Sequence, residues 1–325
     1  MASNDFLNVR VASKQMLSKD TALFELVAEG DQQLPPFSAG AHVEVLLPGG
    51  LQRTYSLCNP PQERHRYVLG VLRDAQSSGG SVAMHEQVHA GQRLRISAPR
   101  NQFALTPRAT HSILLAGGIG ITPLLSMAWQ LSHEQVSFEL HYCTRSAALA
   151  AFAPTLTDPR LAPRVHLHTD DGPLDQRIDL SQVLGKAQPG AHVYVCGPQG
   201  FIEAVLQTAT QASWRSEQLH KELFKAEPIS TDGDTSFEIE IASTGQIVQV
   251  PANQTAVQAL TAAGLDIPVS CEQGICGTCL TRVVSGTPLH RDQYLTDDEQ
   301  AANDQFTPCC SRAKTARLVI DLAPI

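Results

Sequence analysis

The sequence of 325 residues has no long apolar run, no surplus of basic residues and no internal repeat. None of its apolar stretches approaches the roughly 20 residues that cross a bilayer, which excludes a membrane-spanning helix. The opening residues, MASNDFLNVRVASKQ, contain no apolar segment like that of a secretion signal, so we expect a cytoplasmic protein. The formal net charge of −8 disfavours nucleic acid as a partner.

The length is sufficient for two or three domains, each with its own core. Eight cysteines are present. Because a reducing compartment disfavours structural disulfides, these thiols are expected to bind metal, take part in catalysis or pack in a core.

Three segments differ in their hydrophobic pattern. Residues 1–106 contain short alternating runs separated by Gly and Pro, which predicts an antiparallel β-barrel, with a Gly-rich turn opening into a helix at 77–88. Residues 107–226 begin with a continuous apolar strand, a glycine turn and a helix, which predicts a doubly wound α/β domain. A polar linker at 225–236 leads to a third domain, 234–325, that combines strands, a helix and a cysteine loop.

The cysteine loop has the spacing of a known metal centre. Cys271, Cys276 and Cys279 follow a C-x4-C-x2-C pattern, and 29 residues separate Cys279 from Cys309. This is the ligand spacing of plant-type 2Fe–2S clusters.

Two details of this loop leave alternatives. Gly274 and Gly277 suit a chain that must wrap closely around a cluster, whereas Cys310 could replace Cys309 as the fourth ligand. A structural zinc site is the other interpretation, but zinc ligands usually occur as two close pairs, and the second pair is missing here. The spacing therefore favours an iron–sulfur cluster. Cys58 and Cys143 are expected to be small buried residues.

The predicted cofactors transfer different numbers of electrons. A 2Fe–2S cluster carries one electron at a time, whereas a nicotinamide dinucleotide delivers a hydride with two. A flavin joins the two kinds of transfer, so we expect one in the barrel domain.

Four motifs together resemble those of the phthalate dioxygenase reductase family, and the resemblance covers nearly the whole chain. They are RTYSLCNPP (53–61), AGGIGITPLLSMA (116–128), YVCGPQGFI (194–202) and the cysteine loop, in that order. The family, to which reductases of the vanillate O-demethylase type are similar, implies an NADH reductase with FMN and a 2Fe–2S cluster. It also implies that the third domain is a plant-type ferredoxin domain with an α+β, β-grasp fold.

The resemblance assigns residues to the flavin site. In the RTYS motif, Arg53 would neutralise the phosphate, Tyr55 would pack on the ring system and Ser56 would reach its reactive edge. The remaining implied flavin residues are Thr54, Gly79, Gly80, Ser81 and Phe224. The family usually has Arg at position 78, where this chain has Ser78. Taken alone, these segments would be an amphipathic strand, a solvent-exposed turn and a core Phe.

The resemblance also assigns residues to the nicotinamide site. Thr122 would lie near both nicotinamide and flavin, and we expect Ser56, Thr122 and Cys196 to act in catalysis. The implied residues are Gly117, Gly118 and Gly120 for the pyrophosphate, Pro123 beside them, and Cys196, Gly197 and Pro198 as the opposite wall.

The choice of NADH over NADPH depends on the segment after the strand FELHYC. Thr144 and Arg145 stand where an acidic residue would bind the ribose, and Arg145 could accept a 2′-phosphate. The family uses NADH, and Asp170 and Asp171 would supply negative charge against NADPH, although a solvated turn explains them as well. Other histidines, such as His111, are expected to be surface or packing residues.

These expectations give one functional hypothesis. Hydride passes from NADH to FMN, and single electrons pass through the cluster to a Rieske-type oxygenase that dihydroxylates or O-demethylates an aromatic acid. The chain from Asp234 onward has 11 acidic and 5 basic residues, so we expect a monomer whose ferredoxin domain docks through an acidic face. The alternatives are a redox sensor and a zinc-stabilised flavin reductase that releases reduced flavin.

Overall fold

The computed structural model describes residues 6–30, 32–75, 79–225 and 230–322. Contacts divide the chain into two compact units, Asn4–Leu223 and Phe224–Ile325. Within these described residues, no helix combines the length and apolar character needed to span a membrane. The predicted boundary at residue 106 falls inside the first unit, and the three predicted domain ranges stay predictions.

An antiparallel sheet occupies the first part of unit Asn4–Leu223. Its strand order is β4-β3-β6-β1-β2-β5, and a short helix, α1, precedes β6. The elements are β1 (Leu7–Met16), β2 (Thr21–Ala28), β3 (His42–Leu46), β4 (Gln52–Ser56), β5 (Tyr67–Leu72), α1 (Gly80–Gln87) and β6 (Arg93–Ile96).

The two outer strands of this sheet meet. Leu57, directly after β4, pairs with Leu69 of β5, and the Cys58 amide donates to the Val68 carbonyl at 3.0 Å. The alternating apolar side chains of the strands, such as Val43 and Val45, point into a common core. The sheet therefore closes on itself, as the alternating pattern predicts.

A parallel sheet forms the rest of this unit, with strand order β11-β10-β7-β8-β9. Its elements are β7 (His111–Gly117), α2 (Ile121–His133), β8 (Ser137–Thr144), α3 (Ala153–Leu156), β9 (Val165–Thr169), α4 (Leu180–Leu184), β10 (Ala191–Cys196), α5 (Gln199–Gln211) and β11 (Leu219–Glu222). After β7 the chain builds one side of the sheet, and after β9 it crosses to build the other. The strand order therefore reverses between β7 and β10, where α/β proteins bind their ligands.

The unit Phe224–Ile325 contains a five-stranded mixed sheet of order β13-β12-β18-β14-β16, on which α6 packs, and a two-stranded ribbon of β15 and β17. The elements are β12 (Phe237–Ile241), β13 (Ile247–Val250), α6 (Ala256–Ala262), β14 (Thr281–Ser285), β15 (Pro288–Leu289), α7 (Asp297–Ala302), β16 (Gln305–Phe306), β17 (Arg312–Ala313) and β18 (Arg317–Asp321). β12 and β18 are parallel, and the other pairs are antiparallel.

The architecture agrees with the predicted fold class: a closed antiparallel sheet, a parallel sheet with helices between its strands, and an α+β domain built on a mixed sheet. The sequence pattern also predicts a helix around 147–157, and here the structure differs. The stretch divides into a 3-10 turn, Ala147–Leu149, and the four-residue α3, because Ala150 between them has a non-helical ψ of 64°.

Candidate active site and metal centre

Two glycine loops meet at the point where the strand order reverses. A Cβ added to Gly120 would lie 2.2 Å from the Cys196 carbonyl oxygen, and one added to Gly117 would lie 2.8 Å from the Pro198 ring. The loop after β7 and the loop after β10 are therefore packed backbone to backbone. Gly118 has a φ of 54° and no atom within 4 Å of its Cβ position, so it faces open space. This is the arrangement that close approach of a pyrophosphate requires.

Thr122 lies in the first turn of α2 and is 2% exposed. Its hydroxyl donates to the Ile119 carbonyl at 3.1 Å, and its methyl group lies 2.8 Å from the Cβ position of Gly70 in β5. Thr122 therefore links α2, the helix that follows the first strand of the parallel sheet, to β5 of the antiparallel sheet. The following residue, Pro123, is buried at the start of the same helix, where its lack of an N–H costs no hydrogen bond.

Ser56 ends β4 and meets a residue that the sequence analysis did not single out. The Ser56 hydroxyl donates to Oε2 of Glu222 at 3.3 Å, across 166 positions of the chain. Burial raises the pKa of Glu222 to about 8, and the hydrogen bond from Ser56 opposes the shift. A carboxyl group with such a pKa can hold or release a proton near neutral pH.

Cys196 is the last residue of β10 and is fully buried. It lies between Ala116 of β7 and Glu222 of β11 in the parallel register. Burial raises the pKa of its thiol, and the nearby Glu222 adds to the rise. The thiol is therefore neutral at physiological pH.

The sequence contains only a weak signal for Glu222. It lies in the segment HKELF (220–224), where the family resemblance implies a role for Phe224 and none for the glutamate. A lone Glu near a strand end is usually solvated. Only the strand order, which places β11 beside β10, brings it to Ser56 and Cys196. Phe224 itself is 41% exposed and begins the second unit.

The predicted phosphate-binding group lies at the beginning of α1. The side chain of Arg53 packs on Gly80, since a Cβ at Gly80 would lie 2.5 Å from Arg53 Cγ. Gly79 caps the helix with a φ of 96°, and the Ser81 hydroxyl accepts a hydrogen bond from the Asp74 amide at 3.1 Å. The Arg53 side chain and the N-terminus of α1 are thereby grouped, which favours an anion. Ser78 lies outside the described residues.

The RTYS segment divides between two sides of its strand. Neighbouring residues of a strand point to opposite faces, so Arg53 and Tyr55 share one side and Thr54 points to the other. Tyr55 packs against the core of the antiparallel sheet, and burial raises the pKa of its phenol, which keeps it uncharged.

The loop after β8 pairs with the loop after β9. The amide of Asp170 donates to the Thr144 carbonyl at 3.1 Å, and the amide of Asp171 donates to the Arg145 carbonyl at 3.2 Å. Thr144 is buried, whereas Arg145, Asp170 and Asp171 are exposed. The structure thus brings the predicted ribose-binding residues and the two carboxylates together at one edge of the parallel sheet.

Two glycines shape the cysteine loop of the second unit. Gly274 and Gly277 have φ values of 73° and 67°, which L-residues rarely adopt. A Cβ would lie 2.5 Å from the Cys310 sulfur at Gly274 and 2.3 Å from the Tyr294 ring at Gly277. Both the conformation and the lack of space therefore require glycine.

The predicted ligands form two contacting pairs of thiols. Cys271 and Cys276 share a hydrogen bond that raises the pKa of Cys271 and lowers that of Cys276 to about 5. Cys309 hydrogen-bonds the Cys279 thiol, which raises the pKa of Cys309 to about 12, and it also bonds the Gly274 backbone.

Cys310, the other candidate for the fourth ligand, has different partners. Its sulfur lies 3.2 Å from the Thr307 hydroxyl and 3.8 Å from the Ser311 hydroxyl, and it also hydrogen-bonds Cys309. The Cys310 thiol is therefore held by neighbouring hydroxyl groups, next to the cysteine loop.

Comparison with known proteins identifies the family. A model of the 2Fe–2S iron-sulfur cluster binding domain matches residues 239–314, and one of the N-terminal domain of dimethylamine monooxygenase subunit DmmA-like proteins matches residues 93–219. The vanillate O-demethylase oxidoreductase of Pseudomonas putida is 53% identical over 96% of this chain and 98% of its own. The phthalate dioxygenase reductase of Burkholderia cepacia is 42% identical over 98% of each chain. A solved structure of a phthalate dioxygenase reductase, described as modular for electron transfer from pyridine nucleotides to 2Fe–2S, has a TM-score of 0.74 at 42% identity and covers 98% of both chains.

The chain belongs to the phthalate dioxygenase reductase and vanillate O-demethylase oxidoreductase family. It is a NAD(P)H-dependent oxidoreductase, the reductase component of a Rieske oxygenase system, and it transfers electrons through a 2Fe–2S cluster. Family membership also implies a bound flavin. The predicted family, enzyme class and function are confirmed.

Proposed function

We propose that this reductase takes hydride from NADH onto FMN and delivers electrons through its cluster to an oxygenase that O-demethylates a methoxylated aromatic acid of the vanillate type. One observation supports the redox site: Ser56, Cys196 and Glu222 lie together near the point where the strand order reverses. The substrate class rests on the higher identity to vanillate O-demethylase oxidoreductases, 53%, than to phthalate dioxygenase reductase, 42%.

The residues present fit a flavin with one terminal phosphate. Arg53 and the first turn of α1 form a compact anion site, which supports FMN as the flavin. When bound, the flavin would accept hydride from the nicotinamide and the cluster would carry single electrons. Ser56 and Thr122 would then border the flavin and nicotinamide, and the buried Cys196 would form the wall opposite the glycine loop.

Ser56 and Glu222 provide a route for a proton. The Ser56 hydroxyl donates to Glu222, whose pKa of about 8 lets the carboxyl hold a proton at pH 7. From this position Glu222 can supply or accept a proton through the Ser56 hydroxyl. Cys196, the neighbour of Glu222 in the strand register, is fully buried and would keep water from that side of the carboxyl group.

The four thiols fit a cluster with two metal ions. Each of the pairs Cys271–Cys276 and Cys279–Cys309 can serve one iron, which supports Cys309 over Cys310 as the fourth ligand. A mononuclear zinc site would instead draw all four thiols around one ion. We further propose a cytoplasmic location, because a reducing compartment keeps these thiols free.

The preference for NADH rests on charge near the ribose. Asp170 and Asp171 are hydrogen-bonded through their amides to the Thr144 and Arg145 carbonyls, so two carboxylates lie at the edge where a 2′-phosphate would bind. Their charge would offset the attraction of Arg145 for that phosphate. Replacing both by Asn should raise kcat/KM for NADPH while leaving that for NADH nearly unchanged. Equal preference in the parent protein would contradict this assignment.

A reconstituted assay tests the proposal. The purified protein should contain FMN, iron and acid-labile sulfide, and with NADH it should support demethylation of vanillate by a vanillate O-demethylase oxygenase component. A protein that oxidises NADH with an artificial acceptor but supports no demethylation, while supporting a phthalate dioxygenase, would redirect the substrate class. Release of free reduced flavin without electron delivery to any oxygenase would favour the flavin reductase alternative.

A further inference from the structure

Four histidines and a glutamate lie together on one face of the parallel sheet, on β7, β8 and β9, and none of them belongs to the group of Ser56, Cys196 and Glu222. In the parallel register His141 of β8 pairs with His166 of β9, and Cys143 pairs with His168. Glu139, two residues before His141, shares its face because side chains alternate along a strand. His111 of β7 reaches the same glutamate, with Nε2 3.6 Å from Oε1.

His141 is the buried member of this group and is 5% exposed. Its Nδ1 lies 3.0 Å from Nε2 of His168, within hydrogen-bond distance. Its Nε2 is inaccessible to solvent and has no hydrogen-bond partner among the described residues. Oε2 of Glu139 lies 3.5 Å from this nitrogen. A buried ring nitrogen left without a partner costs free energy, and a ligand at that nitrogen would recover it.

Three side chains of this group offer donor atoms that lie close together. One atom each from Glu139, His141 and His166 lies within 4.8 Å of the other two. Ligands of a tetrahedral zinc ion, at bond lengths of about 2.0–2.1 Å, lie roughly 3.3 Å apart. His166 is exposed and its ring stacks on His141 with centroids 4.8 Å apart, so rotation of this one side chain can close the gap.

We propose that Glu139, His141 and His166 bind a divalent transition-metal cation, with zinc as the representative, between β8 and β9. Two imidazoles and one carboxylate suit zinc, nickel, copper or cobalt and disfavour magnesium and calcium, which prefer oxygen ligands. Three protein ligands leave a fourth position for water. The site shares no residue with the cysteine loop or with the proposed electron path.

The other two histidines, His168 and His111, would not bind the cation but would contact the residues that do. A metal-bound imidazole usually hydrogen-bonds a second group through its other nitrogen, and His168 stands at that position beside His141. Nε2 of His111 lies 3.6 Å from Oε1 of Glu139, and its Nδ1 lies 2.9 Å from the Ser137 hydroxyl. His168 and His111 are thus positioned to orient the proposed ligands.

The test measures zinc binding to the flavin- and cluster-loaded protein. After dialysis into metal-free buffer, Zn²⁺ is titrated by calorimetry against the parent protein and against His166→Ala and Glu139→Gln. The parent should bind one Zn²⁺ per chain. Each variant should bind at least about 10-fold more weakly, because loss of an outer partner alone, as in His168→Ala, costs about 10–100-fold. Flavin and cluster absorbance and the thermal midpoint without zinc check that the variants are folded.

His192→Ala provides the matched control. His192 lies in β10 of the same sheet, with Nδ1 3.0 Å from Nε2 of His220, but the triad lacks it. This variant should bind zinc as the parent does, and zinc K-edge X-ray absorption of the parent should show nitrogen and oxygen ligands without sulfur. Equal zinc affinity in His166→Ala and the parent, sulfur ligands, or no measurable binding by the parent would each overturn the proposal and leave the group as a histidine stack without a bound cation.

Discussion

The cysteine loop and the redox site at the reversal of strand order are built in opposite ways. In the loop, three proposed ligands occur within nine residues of irregular chain, and two glycines with left-handed φ set its path. At the redox site, Ser56, Cys196 and Glu222 each end a regular strand and come from distant parts of the chain. The loop depends on local conformation, whereas the redox site depends on which strands are neighbours. A single substitution should therefore damage the loop more than the redox site.

The largest effect is expected from Cys276→Ser. The thiol pair with Cys271 is then lost, so the cluster should be absent while the flavin-containing unit stays folded. NADH should still reduce the flavin, but electron delivery to an oxygenase should collapse. Iron and sulfide analysis, together with reduction followed at flavin and cluster wavelengths, measures this.

Cys310→Ser is the control for that variant. Its sulfur contacts Thr307 and Ser311, so the cluster should remain, whereas Cys309→Ser should lose it. A cluster retained in Cys309→Ser and lost in Cys310→Ser would reverse the ligand assignment. Normal electron delivery by Cys276→Ser would reject the electron path itself.

A pair of glycine substitutions separates conformation from space. In Gly277→Ala, the alanine must adopt a φ of 67°, at a cost of roughly 1–2 kcal/mol. Its Cβ would also lie 2.3 Å from the Tyr294 ring, so the ring must move. We expect a lower cluster content and a lower thermal midpoint. Gly118→Ala has a similar φ of 54° but open space, so its stability loss should stay near the conformational cost alone.

The readouts of this pair differ in kind. Because Gly118 faces the proposed pyrophosphate position, Gly118→Ala should raise KM for NADH while leaving iron content unchanged. Equal losses of stability in the two variants would mean that the contact with Tyr294 is of little consequence.

Glu222→Gln should change the pH dependence of stability and activity. The pKa of Glu222 rises from 4.5 to about 8 on folding, so between these values the folded protein holds a proton that the unfolded chain releases. Stability of the parent therefore falls as pH rises through this window, and Gln, which has no such proton, escapes the fall. The thermal midpoint of the variant relative to the parent should rise from about pH 5 to about pH 8.5.

Activity gives a second readout of the same variant. The reductive step with NADH should slow and lose its inflection near the pKa of Glu222. Glu217→Gln, an exposed glutamate ion-paired with Arg215, should leave both profiles as in the parent. An unchanged inflection in Glu222→Gln would mean that another group titrates.

The two regions also differ in what the sequence could predict. The spacing of Cys271, Cys276 and Cys279 encodes the cluster site locally, and the alternating and continuous apolar runs predict the two kinds of sheet. Glu222 and the group around His141 were not predicted, because each depends on the order of strands in the parallel sheet. No local pattern indicates that β11 lies beside β10, or that β9 brings His166 to His141.

The smallest effect is expected at α7, the helix that we propose as the acidic docking face. Unlike the cysteine loop and the redox site, such a face depends on its charge and not on a fixed set of side-chain contacts. In α7, Thr296 and Glu299 form a capping box: the Thr296 hydroxyl accepts from the Glu299 amide at 3.3 Å, and Glu299 accepts from the Thr296 amide at 2.8 Å. Asp298→Asn with Glu299→Gln removes two charges while Gln can keep the cap. If this helix faces the oxygenase, association should slow a few-fold at low salt, because electrostatic steering weakens.

The matched control removes the same charge elsewhere on the same unit. Glu238 and Glu240 on β12 are both ion-paired with Arg317 at 2.7 Å, and Glu238→Gln with Glu240→Gln gives an equal change in net charge. Stopped-flow rates of cluster oxidation by the oxygenase, taken from low salt to above 0.15 M, where screening reaches about 8 Å, compare the two variants. Slowing confined to the α7 variant, and lost at high salt, would locate the docking face. Equal slowing in both would mean that only net charge matters, and no slowing in either would place the contact on an uncharged surface.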